Sequence, residues 1–216
     1  FDYVTNVLNH EQILELASRE VEHQLGTRKV WHDSARTTET GGIVKYHEVP
    51  DPQTVNFLHV GRFSPEKRHD KLLQAFRAAK DRCPSTKMKL YLAGEGPLFE
   101  EMRDLSKQLG LADSVVFTGQ LENPYWLMKR SSCLVLSSDH EGQPMVLLEA
   151  LILGVPVIAT DIVGSRSVLG PYGGTLVPNT VEGLADGLAS VARQGAAPAT
   201  FDIDAYRNQA LGRFYS

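Results

Sequence analysis

Short apolar runs alternate with longer amphipathic stretches through most of the chain. The apolar runs predict buried strands at 56–60, 88–93, 115–118, 134–136, 157–159 and 175–177. Apolar residues at helical spacing predict helices at 67–82, 97–109, 124–130 and 181–193. Strands that alternate with helices predict an α/β fold with a doubly wound parallel sheet. In such a sheet, ligands bind at the carboxyl ends of the strands, where the strand order reverses.

The two ends of the chain follow this pattern less well. An apolar stripe predicts a helix over 10–25, with Asn9 as its N-cap. A polar loop is expected over 26–42, then a short strand over 43–49 and a linker at 50–52. After a loose stretch at 196–200, residues 204–214 predict a terminal helix.

Composition narrows the class of protein. The chain has 216 residues, 42% of them hydrophobic, which is enough for one sizeable core. Its net charge of -4 argues against a nucleic-acid-binding tract. Cys83 and Cys133 form neither a metal-type spacing nor a disulfide framework, which fits the reducing cytoplasm. No signal peptide or membrane span is visible, so we expect a cytoplasmic location. Because the chain begins at Phe1 without Met, we expect it to be a piece of a longer protein.

One stretch, residues 141–149, carries the clearest chemistry. It follows a predicted strand, and Pro144 stands where a helix can begin, because the first helical positions need no amide partner. Glu141 is then predicted in the loop, and Glu149 one to two turns into the helix. The free amides at the helix start predict a phosphate site, since the positive end of the helix dipole lies behind them. The residues of this predicted site are Gly142, Gln143, Pro144, Met145 and Val146.

Glu141 and Glu149 are predicted to bind sugar hydroxyls. A carboxylate offers only hydrogen-bond acceptors and is repelled by phosphate, so it suits the hydroxyls of a ribose or a hexose beside the phosphate. A phosphate held by amides between two such carboxylates predicts a nucleotide-sugar site.

Several other strand ends are predicted to gather at the same edge of the sheet. Gly61 closes the first strand with a tight turn, and Arg62 and Lys67 follow it as candidate ligands of a diphosphate. Gly94 opens a G-x-G turn after the second strand, which is weak as a dinucleotide signature because no third glycine follows. Leu121 follows the third strand.

The run 140–150 resembles the E-x7-E segment of retaining, family-four glycosyltransferases of the GT-B fold. Residues 61–67 are similar to that family's G-R-x-x-x-x-K pattern. The resemblance covers 55–193 and implies a Rossmann-like donor-binding domain at 51–195, the GT-B C-terminal half. Residues 1–50 would be a remnant of the N-terminal acceptor domain with its linker, and 196–216 a C-terminal tail with a crossing helix.

The resemblance also implies residue roles. Arg62 and Lys67 would stabilise the leaving nucleoside diphosphate, and Glu141 would hold the transferred sugar and the positive charge at its anomeric carbon. Glu149 would hold the ribose. The donor-binding set would comprise Gly61, Gly94, Leu121, Gly142, Gln143, Pro144, Met145, Val146 and Glu149. Residues 161–165 depart from the family's glycine-rich sequence at this place, and we expect them to pack as a loop.

The implied reaction is sugar transfer with retention from a UDP-sugar to a glycan or cell-wall polymer, with no metal or other cofactor. We expect the nucleotide-sugar and the missing acceptor domain as partners, no nucleic acid, and peripheral membrane association through the full-length protein. This chain alone is expected to be an inactive fragment that binds a nucleoside diphosphate. Two alternatives stay open: a nucleotide-sugar epimerase of the same fold, and a non-catalytic interaction module.

Overall fold

A six-stranded parallel sheet forms the centre of the molecule. The computed structural model describes residues 9–18, 22–25, 28–31 and 47–194. The strands of the sheet are β4 (Val55–Val60), β5 (Met88–Ala93), β6 (Val115–Gly119), β7 (Cys133–Leu136), β8 (Val157–Thr160) and β9 (Thr175–Val177). All six predicted strands are confirmed, and each end agrees to within one residue.

The strand order places a topological switch point between β4 and β7. The order is β6-β5-β4-β7-β8-β9. Strands β5 and β6 are therefore added on one side of β4, and β7, β8 and β9 on the other. The ladder between β4 and β7 pairs Phe57 with Cys133 and Leu58 with Leu134. One residue further along, the His59 side chain donates a hydrogen bond from Nδ1 to the Val135 carbonyl at 2.9 Å. A side chain therefore bridges the two strands where the crevice of the switch point opens.

Helices cover both faces of the sheet, which confirms the doubly wound α/β architecture. They are α2 (His69–Arg82), α3 (Phe99–Gln108), α4 (Tyr125–Lys129), α5 (Met145–Ile152), α6 (Val163–Tyr172) and α7 (Val181–Gln194). Helices α2, α3 and α7 form one core with the sheet through residues such as Phe76, Met102 and Leu188. Helices α4, α5 and α6 form the other core through residues such as Trp126 and Leu147.

One helix prediction and one loop prediction in this domain need correction. The helix predicted over 67–82 is two elements, because Arg68 adopts the left-handed conformation between the 3-10 helix Pro65–Lys67 and α2. The loop predicted over 161–165 is wrong from Val163 onward, where α6 begins. Buried Val168 and Leu169 pack α6 into the core, and this tertiary contact outweighs the low helix propensity of its glycines and proline.

The N-terminal region is partly as predicted. Asn9 caps α1 (His10–Ser18) by accepting a hydrogen bond from the Gln12 amide at 3.2 Å. The prediction of helix up to residue 25 is wrong, because Glu22–Leu25 is strand β1. The loop predicted over 26–42 contains strand β2 (Arg28–Trp31). Cross-strand hydrogen bonds join β1 to β2, and β2 to β3 (His47–Glu48), in a separate antiparallel sheet, and this pairing overrides the local helical pattern.

Three predicted features lie wholly or partly outside the described residues. They are the polar loop around 32–42, residues 43–46 of the predicted strand, and the tail with its crossing helix at 196–216. The division of the chain into an acceptor-domain remnant, a donor domain and a tail therefore stays a prediction.

Candidate functional site

Glycine backbones bring the ends of β4, β5 and β6 close together. The Gly61 amide donates to the Ala93 carbonyl at 2.9 Å, and the Gly94 amide donates to the Gly119 carbonyl at 2.8 Å. A Cβ on Gly94 would lie 2.0 Å from the Gly61 carbonyl oxygen. No side chain fits there, so glycine at position 94 is required by the approach of the two loops.

These loop ends line a cavity of about 580 Å³, a size typical of ligand pockets. Four residues predicted from the sequence line it: Gly61, Arg62, Gly94 and Leu121. Within the described part of the chain, the Arg62 guanidinium makes no hydrogen bond or ion pair. The cavity therefore presents a guanidinium that no hydrogen bond holds within the described residues, although its charge interacts with Glu66.

Lys67 and Glu141 meet across the switch point. The Lys67 Nζ atom lies 2.5 Å from Glu141 Oε1, although 74 residues separate them in the sequence. Their side chains are only 21% and 12% exposed. Ser138 Oγ donates a second hydrogen bond to the same carboxylate oxygen at 2.6 Å. Arg62, Lys67 and Glu141 are the three side chains predicted to be catalytic. The structure brings Lys67 and Glu141 into direct contact, although neither of them lines the cavity.

The predicted helix start at Pro144 is confirmed. Pro144 precedes α5, and no side chain caps the helix. Among the described residues, no hydrogen-bond partner is found for the amides of Gly142, Gln143, Met145 and Val146. These donors stay free beside Glu141, so they can receive an anion.

Glu149 lies on the second turn of α5, as predicted, and is largely buried beside Tyr125. Burial raises the pKa of this carboxyl above its ordinary value, and a hydrogen bond with Tyr125 opposes the shift. The Tyr125 hydroxyl lies 3.4 Å from Glu149 Oε1, and burial, with the nearby Glu149 charge, raises the pKa of Tyr125 to about 12. Tyr125 was not predicted, because its place beside Glu149 depends on the packing of α4 against α5.

Charged side chains outside the predicted set converge at the start of α2. Asp139 accepts hydrogen bonds from Lys71 Nζ at 2.7 Å and from Arg68 Nη1 at 2.5 Å. Lys71 Nζ also donates to Asn179 Oδ1. Burial alone would raise the pKa of Asp139, but the hydrogen bonds from Lys71 and Arg68 outweigh it and lower this pKa to about 2. This cluster could not be predicted from the sequence, because its members come from three separate segments.

Two neutral histidines lie beneath these charges. Burial lowers the pKa of His59 to about 4, although its bond to the Val135 carbonyl opposes the shift. His69 stacks on Phe63 with ring centroids 4.0 Å apart. Burial, followed by the charges of His59 and Lys67, lowers the pKa of His69 to about 2. Both imidazoles are therefore uncharged at neutral pH and fill the core below the loops.

Gly164 supports the loop that carries Glu141. A Cβ on Gly164 would lie 2.4 Å from the Glu141 carbonyl oxygen and 2.9 Å from the Glu141 Cβ atom. The first turn of α6 therefore packs directly on this loop. Gly164 lies within residues 161–165, for which the sequence predicts only the packing of a loop.

The described residues contain neither a metal-binding cluster nor a membrane-spanning helix. In residues 9–18, 22–25, 28–31 and 47–194, no group of three or more His, Cys, Asp or Glu side chains is placed to hold a metal ion. No helix in those segments has the length and apolar content needed to cross a bilayer.

The profile of the glycosyl transferases group 1 family matches residues 47–207. The chain belongs to this family. The match covers the whole parallel sheet and every predicted site residue, and it agrees with the GT-B type expected from the sequence.

Characterised relatives resemble only part of the chain. The lipopolysaccharide 1,6-galactosyltransferase of Escherichia coli is 35% identical over 133 residues, which are 57% of this chain and 36% of that enzyme. The N-acetyl-alpha-D-glucosaminyl L-malate synthase of Bacillus anthracis is 35% identical over 112 residues, which are 52% of this chain and 29% of that enzyme. The chain thus spans about a third of the length of these curated relatives.

Solved structures of glycosyltransferases share the fold. The lipopolysaccharide outer core galactosyltransferase WaaB is 29% identical with a TM-score of 0.55, over 65% of this chain and 40% of WaaB. HepE of Anabaena, solved with UDP and glucose, is 22% identical with a TM-score of 0.59, over 76% of this chain and 48% of HepE. TarM of S. aureus, solved with UDP, is 23% identical with a TM-score of 0.60, over 70% of this chain and 31% of TarM.

Proposed function

We propose that this domain binds a UDP-sugar and supports transfer of the sugar, with retention, to a glycan or cell-wall polymer. The observation that carries the proposal is the contact between Lys67 and Glu141 at the switch point, where ligands of doubly wound sheets bind. A cation for a diphosphate and an acceptor for sugar hydroxyls meet there, next to the free amides that precede and begin α5.

In this proposal the donor replaces Glu141 as the partner of Lys67. The diphosphate is first attracted by Arg62, which lines the cavity and interacts electrostatically with Glu66. Lys67 then turns from the carboxylate to the phosphate, and the amides from Gly142 to Val146 bind the remaining oxygens. These groups stabilise the charge that grows on the departing UDP as the bond to the sugar breaks, which is the main electrostatic contribution to the rate.

The same exchange frees Glu141 for the sugar. Its carboxylate can then accept hydrogen bonds from the sugar hydroxyls and stabilise positive charge at the anomeric carbon. Glu149 holds the ribose hydroxyls in the same way. Its buried position strengthens such bonds, because few water molecules compete for the carboxylate.

The activity of the whole protein is proposed from its relatives. The E. coli relative is named a lipopolysaccharide galactosyltransferase and the B. anthracis relative a synthase of a glucosaminyl malate, which supports a reaction that joins a sugar to an acceptor. We propose that the donor site acts with an acceptor-binding domain, so that the 216-residue chain alone binds UDP and transfers no sugar. We propose, too, that the reaction is cytoplasmic, needs no metal ion, and reaches the membrane only through the full-length protein.

The test is titration calorimetry with UDP, GDP, ADP and CDP, with and without EDTA. The proposal expects binding that prefers UDP and is insensitive to EDTA. Absence of binding by all four nucleotides would favour the interaction module. With UDP-sugars and the full-length protein, transfer releases UDP whereas epimerisation leaves the nucleotide attached to the sugar.

Variants at the two cations sharpen this test. Arg62→Ala and Lys67→Ala should weaken UDP binding far more than uridine binding, since both residues act on the diphosphate. Arg77→Ala is the matched control, because Arg77 is an exposed cation paired with Asp81 on α2, four residues along the helix. Equal losses for UDP and uridine would show that Arg62 and Lys67 support the fold and not the diphosphate.

A further inference from the structure

Lys71 is a buried cation that the proposed reaction does not use. It is the third residue of α2, and its side chain is only 4% exposed. A lysine is rarely buried unless its charge is paired, because removing an ammonium group from water is costly. Here the partners are Asp139 Oδ1, at 2.7 Å, and Asn179 Oδ1. A buried ammonium with two partners therefore indicates that the charge of Lys71 has a structural role.

The ammonium group joins three segments that follow different strands. Lys71 lies on the helix after β4, Asp139 lies in the loop after β7, and Asn179 lies in the loop after β9. These strands are not all neighbours in the sheet, since β8 separates β7 from β9. Lys71 therefore ties the loop of Glu141 both to the first crossover and to the far side of the sheet.

Asp139 transmits this restraint to Glu141. The two residues are separated only by His140, and the Asp139 amide donates to the Glu66 carbonyl at 2.9 Å. Ser138, on the other side of Asp139, donates to Glu141 Oε1 at 2.6 Å. Fixing the Asp139 side chain therefore fixes the residues that orient the Glu141 carboxylate and the amides that follow it.

Lys71 also balances charge. Asp139 and Glu141 are two carboxylates on one short loop, and a diphosphate bound beside them would be repelled by an uncompensated charge. Arg68 contacts Asp139 too, but the Arg68 side chain is 36% exposed, whereas Lys71 is almost fully shielded from water. The shielded cation contributes more to this balance because solvent screens it less.

We propose that Lys71 is a positioning residue of the donor site: its buried ammonium holds the Asp139 loop in the arrangement that presents Glu141 and the α5 amides to the donor. This inference rests on the proposed function for its effect on binding. The hold on the loop itself is independent of any ligand and can be measured separately.

The experiment compares Lys71→Met with the unchanged 216-residue chain. Methionine keeps an unbranched chain of similar length and removes the charge. Hydrogen exchange should become about tenfold faster at the Asp139 amide and in its loop, while the strands of the sheet are unaffected. UDP affinity should fall about tenfold and uridine affinity by less than about twofold, because the loop serves the diphosphate and the sugar.

Arg82→Met is the matched control. Arg82 ends the same helix and also contacts two partners, Glu182 at 2.6 Å and Asp186 at 2.7 Å, but both lie on α7, away from the loop. It should change neither the exchange of the loop nor the binding of UDP. Unchanged loop exchange in Lys71→Met, or equal losses for UDP and uridine, would overturn the inference.

A second variant covers the case in which Lys71→Met fails to fold. Asn179→Ala removes one partner of Lys71 and leaves the ion pair with Asp139, so a smaller loss of UDP affinity and of loop protection is expected. If this variant matches the unchanged protein in both, the inference is wrong. If the unchanged protein binds no nucleoside diphosphate, the proposed function fails, and hydrogen exchange still decides whether Lys71 holds the loop.

Discussion

Helix α2 carries charged side chains at both ends, and the two ends differ in burial and in what they contact. At the start, Lys71 is 4% exposed and binds a loop of the candidate site. At the end, Arg82 is 30% exposed, and its partners Glu182 and Asp186 are 72% and 71% exposed. Pairs of the second kind contribute little to stability, because water and salt screen them. Burial and the segment contacted, and not the number of ion pairs, therefore distinguish the functional end of the helix.

Two buried histidines, His69 at the start of α2 and its neighbour His59 on β4, give the test of this contrast with the largest expected effect. His69 is the first residue of α2 and contacts His59, with ring centroids 4.5 Å apart. Burial lowers the pKa of His59 to about 4 and that of His69 to about 2, so the unfolded chain takes up protons first as the pH falls below 6.5. The free energy of unfolding should fall by about 2 kcal/mol per histidine between pH 6.5 and pH 4.5.

Urea unfolding across that pH range measures the effect. His69→Leu should remove about half of the slope, since one of the two titrating groups is lost. Arg82→Met, at the other end of the helix, should leave the slope unchanged. A flat pH dependence in the unchanged protein would show that the histidines are not shielded as the structure indicates.

Asp139→Asn should produce the next largest effect on stability. It leaves the buried Lys71 ammonium with Asn179 but without a charged partner. Because the Asp139 side chain is itself 40% exposed, water screens part of the interaction, and we expect a loss of about 1–2 kcal/mol in the free energy of unfolding at pH 7. Asp186→Asn removes an exposed partner of Arg82 and should cost less than about 0.5 kcal/mol. Similar losses for the two variants, measured by urea unfolding, would break the contrast between the ends of α2.

Glu149→Ala should act on binding more than on stability. It removes a carboxylate that accepts two ribose hydroxyls in the proposed complex, so UDP affinity should fall by about ten- to a hundredfold, or 1.5–3 kcal/mol. Glu182→Ala is the control, because Glu182 is an exposed carboxylate on α7 that pairs with Arg82. Calorimetry on the two variants decides the matter, and unchanged UDP affinity in a folded Glu149→Ala protein would exclude the ribose role.

Arg82→Met should have the smallest effect. The loss of its two exposed contacts is expected to change the free energy of unfolding by less than about 1 kcal/mol, and UDP binding not at all. Thermal unfolding with and without UDP measures both quantities. A loss as large as that of Asp139→Asn would mean that the end of α2 stabilises the domain as strongly as its start.

The sheet could be predicted from the sequence because its strands are short, apolar and buried on both faces. Runs such as 88–93 and 133–136 leave little choice of structure. Helix α6 could not be predicted, because Gly164, Gly170 and Pro171 weaken its local signal and its stability comes from packing. The helix predicted to extend to residue 25 failed for the related reason that β1 is stabilised by its pairing with β2.

In the candidate site, too, some residues could be predicted from the sequence and others could not. Gly61 and Arg62 were predicted because they directly follow β4, and Glu141 because it stands in the loop between β7 and α5. Parallel strands place their carboxyl ends at one edge of the sheet. The partners of those residues were not predicted. Lys71 and Asp139 are 68 positions apart, and nothing local distinguishes Lys71 from the solvated lysines elsewhere on the surface. Only the fold brings these charges together, and the sequence pattern does not encode side-chain partners at that distance.

The backbone at Arg68 has a consequence for how the domain responds to ionic strength. Within the described residues it is the one non-glycine residue with positive φ, at 52°, which costs about 1–2 kcal/mol. Its side chain makes ion pairs with Asp70 and Asp139, both at least one-third exposed, which offset part of that strain. Concentrated salt weakens the ion pairs but leaves the backbone strain in place. Added salt should therefore loosen the junction between Lys67 and α2, and with it the position of a cation that is proposed to bind the diphosphate.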